Sequence, residues 1–148
     1  MTTRPVLWRM SENVSTGGRT HVQPLAVRGG LAVVAAVVAN AALVAVSDAV
    51  GVAPELQALT YPPVVFLSAV GATGSVVVYG LLGRYVDDVG GTFRRVAAAV
   101  LGLSFVPDLA LLAVDEAATV LGVLLLMLMH VVVAGAAVGA LVYWSRER

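Results

Sequence analysis

Four apolar runs limit what this chain can become: residues 29–52, 62–83, 96–114 and 117–143. Each is close to the ~20 apolar residues that a helix needs to cross a bilayer. Few polar residues interrupt them, and the segments between them are short. In hydrocarbon the backbone must satisfy its own N–H and C=O groups, so Val-rich runs that would favour strands in water are expected to be helical. A membrane barrel would need polar and apolar residues in alternation, and the runs do not alternate. The expected fold class is all-α: an integral membrane bundle of four transmembrane helices.

Composition agrees with that reading. Only 12% of the residues are charged and the mean hydropathy is +0.94, against about 25% charged in an ordinary soluble domain. A net charge of zero leaves no basic footprint for nucleic acid. The absence of cysteine excludes disulfides, thiolate nucleophiles and iron–sulfur ligation. Residues 1–28 are polar and broken by Pro5, Gly17, Gly18 and Pro24, and they read as a disordered tail. Residues 29–144 form the transmembrane domain and 145–148 the C-terminus. The first run is too long, and its lead too extended, for a cleaved signal peptide.

The arginines orient the bundle. Arg4, Arg9, Arg19 and Arg28 precede the first run, Arg84, Arg94 and Arg95 lie between the second and third, and Arg146 and Arg148 follow the fourth. These are all the basic residues of the chain, and the other two loops carry none. The positive-inside rule then has one consistent solution, with both termini cytoplasmic and the helices in the cell membrane. Tyr143 and Trp144 mark the inner interface and Tyr61 the outer one. Glu55, Asp115 and Glu116 fall outside.

Polar residues within the runs are the candidate functional groups, because polar atoms in hydrocarbon are costly. Counted from the outer ends at ~1.5 Å per residue, Asp48 and Asp108 lie roughly 6–9 Å deep, Ser104 about 15 Å, and Asn40 and His130 about 18–20 Å. Asp48 belongs to an outer vestibule. Asn40, Ser104 and His130 are expected within reach of one another near the midplane. Asn40 and Ser47 are seven residues apart and share a face, as do Ser104 and Asp108, four apart. Pro107 lacks an amide donor, frees the carbonyl of Leu103 and should bend its helix. A carboxyl at Asp108 must be neutral, paired or wetted. His130 is the only cationic partner within a run, but a depth difference of about 10 Å argues against direct contact. Asn40 and His130 also have a plainer reading as interhelical hydrogen-bonding groups.

Gly135 and Gly139 form a GxxxG pattern, which predicts close packing of the fourth helix. Gly71, Thr73, Gly74 and Ser75 predict the same for the second. Residues 87–91, Asp-Asp-Val-Gly-Gly, read as a turn, since their spacing does not fit a calcium loop. No catalytic nucleophile, metal cluster or cofactor site is expected: a haem would want two axial ligands, and only one His lies in a run.

Three segments carry a family resemblance: Val38-Ala39-Asn40, Leu103-Ser104-Phe105-Val106-Pro107-Asp108 and Leu128-Met129-His130. Over residues 30–143 the chain resembles a prokaryotic family, actinobacterial and haloarchaeal, of small four-helix membrane proteins that form a domain of unknown function. The resemblance implies the fold and supplies no reaction. The expected role is therefore a non-enzymatic accessory or structural membrane component. Its expected partners are the lipid bilayer and a homodimer or larger membrane complex. The alternative is a small proton-linked or cation/solute transporter using Asp108 and His130.

Overall fold

Each helix is bounded by local chemistry that a hydropathy pattern does not display. In the computed structural model, which describes residues 24–144, α1 runs Leu25–Val50. It ends at Gly51, whose backbone is left-handed (φ 69°). The amides of Gly51 and Val52 turn back to the carbonyls of Asp48 and Ser47, the Schellman arrangement that glycine favours. α2 runs Tyr61–Tyr85, with Pro62 and Pro63 in its first turn, where amide donors are not needed. α3 runs Val89–Val114, and Asp88 caps it by accepting from the Gly91 amide at 2.9 Å. α4 runs Val120–Val138, capped by Thr119 accepting from Gly122. A π-helical turn, Gly139–Tyr143, continues it. All four helices are long and apolar enough to cross a membrane.

The boundaries differ from the apolar runs in an instructive way. α1 begins at Leu25, inside the segment read as tail, so Arg28 is helical. The rest of the tail reading, residues 1–23, and the C-terminal residues 145–148 lie outside the described residues. α3 begins seven residues before its apolar run. What read as a five-residue turn is a capping aspartate followed by the first helical turn. α4 starts at Val120, three residues later than its run. A hydropathy pattern marks only the length suited to lipid, whereas caps set where a helix starts.

Two apolar clusters close the ends of the bundle. At one end the α1–α2 connection folds inward, so that Ala53, Leu56 and Leu59 pack with Val44, Val64, Leu126 and Met129. At the other, Phe93 of α3 packs with Ala137, Leu141 and Val142 beneath Tyr79, whose ring it meets edge to face at 5.2 Å. α1 packs through a stripe of small residues at three- and four-residue steps, with Gly29, Ala32, Ala36, Asn40 and Ser47 buried along it. A Cβ on Gly29 would come within 2.8 Å of the Val76 methyls, so the approach of α1 to α2 depends on that glycine.

The glycine pair of α4 does not play this part. A Cβ added to Gly135 or Gly139 would meet no atom within 4 Å. At 100° per residue Gly135 lies about 180° around the helix from Leu126, which is in the core. The pattern thus points outward, and the close-packing role predicted for Gly135 and Gly139 within the chain falls to Gly29. Gly135→Leu should therefore leave the fold intact. Gly29→Leu should cost about 1–3 kcal/mol by overpacking. Thermal unfolding of the two variants in detergent checks this, and equal losses would put Gly135 at an internal contact after all.

Candidate functional site

The polar groups between the two apolar clusters form two connections. The first is built on Asn40. It is 2% exposed, and its amide nitrogen donates to Ser68 Oγ of α2 at 2.8 Å and to the Met129 carbonyl of α4 at 3.2 Å. A carbonyl can only accept, so this contact fixes the amide orientation. Asn40 Oδ1 is buried and has no hydrogen-bond partner. Ser47, on the same face, donates to the Val52 carbonyl at 3.1 Å and so braces the turn after α1.

The second connection joins α3 to α4. Asp108 is 6% exposed, and its Oδ2 lies 3.0 Å from His130 Nδ1. The direct contact that depth counting opposed is therefore present. The count placed His130 too deep in part because α4 begins three residues later than its apolar run, which removes about 4.5 Å of the difference at the helical rise. The same Nδ1 is 3.0 Å from the Leu126 carbonyl one turn back. That carbonyl can only accept, so a proton on Nδ1 would be directed there. Oδ2 makes no aligned hydrogen bond of its own. The carboxyl and the ring are thus in contact without a hydrogen bond between them.

Between these connections lies a cleft of about 450 Å³, walled by α2 and α3 and floored by α4. Asn40, Ser68, Ser75, Ser104 and His130 supply its polar atoms, and the remaining lining is apolar. Asn40, Ser104 and His130 thus face one cleft, yet they do not bond one another. Ser104 donates to the Val100 carbonyl at 2.8 Å, and Ser75 to the Gly71 carbonyl at 2.9 Å, each within its own helix. Gly74, expected to draw helices together, instead lines open space, whereas a Cβ on Gly71 would meet Val133 of α4 at 3.4 Å. Asp48 is exposed near the end of α1 and does not line the cleft.

Two contributors escaped sequence reasoning. Ser68 is 4% exposed and accepts from Asn40. Its only signal was a hydroxyl inside an apolar run. Arg28 is 7% exposed. Its Nε donates to the Ala140 carbonyl at 3.2 Å, its guanidinium also donates to Leu141, and its Cζ stands 5.7 Å from the Tyr79 ring centre. It gives the Ala140 and Leu141 carbonyls donors from the first helix. Chemically, the site sets the Asp108 carboxyl against the His130 ring across two helices. Among the described residues no hydroxyl is hydrogen-bonded to His130, so no nucleophile–base pair is assembled there.

The Asn40 connection should be measurable. Asn40→Ala should lower stability by about 1–2 kcal/mol and Ser68→Ala by about 0.6 kcal/mol, in the range of interhelical hydrogen bonds. A double-mutant cycle of the two by detergent unfolding should show coupling, and additive losses would mean that the bond contributes nothing.

Comparison with known proteins bears on the whole bundle. No curated protein and no solved structure matches the chain. One family does, over residues 20–147, a range that contains all four helices and both polar connections. The chain belongs to that family, described as Family of unknown function (DUF6069).

Proposed function

We propose that this chain is a multi-pass protein of the prokaryotic cell membrane with a non-enzymatic accessory or structural role, both termini cytoplasmic. Four helices of spanning length support insertion. The arginine distribution supports the orientation. The observation that carries the role is that the buried polar side chains, Ser47 apart, join helices. Arg28 links α1 to the end of α4, Asn40 links α1 to α2 and α4, and Asp108 meets His130 across α3 and α4. Gly135 and Gly139 are open to a second copy or to a larger membrane complex, the partners that suit such a role besides lipid.

A second reading, proton-linked transport, draws on the 3.0 Å Asp108–His130 contact and on the position of His130 at the cleft. The two readings separate in proteoliposomes under a pH gradient. The parent protein should show no proton flux above that of protein-free vesicles. Flux in the parent that Asp108→Asn abolishes would install the transport reading in its place. Orientation is checked by reporters active only in the cytoplasm. One fused after Arg148 should be active and one fused after Glu55 silent, and the reverse pattern overturns the topology.

A further inference from the structure

The cleft between α2 and α3 has two walls that can be followed to one end of the bundle. α3 packs chiefly along α4 and stands away from α2. On the α2 wall Gly74 carries no side chain, and a Cβ there would meet nothing within 4 Å. The lining is mostly apolar, and Leu67, Val70 and Val100, which belong to it, are exposed. For a bundle in a membrane the space therefore opens sideways, toward acyl chains. Left empty, its 450 Å³ would deprive the walls of dispersion contacts. Along α2 the lining runs from Val64 to Val78, roughly 21 Å at the helical rise. That exceeds half of a ~30 Å hydrocarbon core, so a chain from one leaflet can lie along it.

The apolar walls alone would accept any lipid, but their continuation toward the α2–α3 connection is polar. Seven residues make nearly two helical turns, so residues seven apart lie on one line. On α2 the line through Val78, in the lining, leads to Tyr85, which is 81% exposed. On α3 the line through Leu101, also in the lining, leads back to Arg94, which is exposed. Only residues 86–88 separate the two helices, so both lines end at one mouth. Neither Tyr85 nor Arg94 has a hydrogen bond or ion pair among the described residues. The neighbouring arginines lead elsewhere: Arg84 lies seven residues from Val77 and Arg95 seven from Gly102, both exposed and outside the lining. Of the two acids in the connection, Asp88 accepts from the Gly91 amide, and Asp87 is exposed.

We propose that the α2–α3 cleft holds an acyl chain of an anionic phospholipid, whose phosphate is bound at the mouth by Arg94, with the Tyr85 hydroxyl as a second donor. The proposal rests on the membrane reading of the chain. A guanidinium offers a phosphate paired N–H donors, and a basic group at the membrane surface attracts anionic lipid. The walls supply the seat for the chain, and the mouth supplies the choice of headgroup.

The test uses the full chain reconstituted in phosphatidylcholine vesicles. The probe is a phosphatidylglycerol with a diazirine at the end of one acyl chain. After illumination, label should concentrate on the cleft residues of α2 and α3. Unlabelled phosphatidylglycerol should compete about fivefold better than phosphatidylcholine with the same chains, the factor expected of one arginine near a membrane surface. Arg94→Gln should remove that preference, and Arg95→Gln should keep it. Gly74→Leu, which places a side chain in open space, should lower cleft labelling by a similar factor. A preference absent in the parent, surviving in Arg94→Gln or lost equally in Arg95→Gln would overturn headgroup recognition at this mouth. Label spread evenly over all outward helix faces, or unchanged in Gly74→Leu, would overturn the cleft as a site. Flotation of the vesicles reports the underlying reading separately: protein that does not float with lipid overturns insertion, and the proposal with it.

Discussion

One side-chain amide, Asn40, touches three helices at once, and the rest of the bundle is arranged around that contact. Apolar packing alone gives helices in hydrocarbon little reason to prefer one partner or register, because lipid tails are as apolar as leucine. A hydrogen-bonded amide does give a reason. With Asn40 bound to Ser68 and to the Met129 carbonyl, α1, α2 and α4 are fixed in mutual depth. The small residues of α1 then close the remaining distance, and the two apolar clusters seal the ends. α3 is attached on different terms. It packs chiefly along α4, with Phe93 against Tyr79, Asp108 against His130 and Leu111 on the apolar cluster at the other end, and the cleft lies where it stands away from α2.

The helices were legible in the sequence because a length of apolar residues is a one-dimensional property, and hydropathy reads it directly. The face of α1 was legible too: Asn40 and Ser47, seven residues apart, are both buried. Depth was less legible. Counting from the edge of an apolar run misplaced His130, since Thr119 caps α4 later than the run begins. Direction was not legible at all for the glycines. A GxxxG pattern states that a surface is small, and Gly29 and Gly135 look alike in that respect. Only the arrangement of the other helices decides which one meets a neighbour. Ser68 was invisible for a related reason. A hydroxyl in a helix usually bonds back to its own carbonyls, as Ser75 and Ser104 do, and nothing in one dimension singles out the one that accepts from another helix.

The same comparison explains why the candidate site divides as it does. Asn40, Ser104 and His130 were grouped by similar depth, and they do face a common space. Their contacts go elsewhere, because each has a nearer partner: for Asn40 a serine on α2 and a carbonyl on α4, for Ser104 a carbonyl one turn back, and for His130 the Leu126 carbonyl on its own helix with the Asp108 carboxyl beside it. Shared depth brings side chains to one level, whereas bonding follows the closest available donor and acceptor.

Arg28 has a consequence for the order in which the molecule is made. Its carbonyl partners, Ala140 and Leu141, follow it by 112 and 113 residues. A ribosome delivers α1 long before it delivers them. Until the last turn of α4 emerges, the guanidinium at the start of α1 has no carbonyls to bind and the base of the bundle stays unlatched. A chain interrupted before residue 140 would hold three helices and most of the fourth, yet it would lack the clasp that joins its first turn to its last.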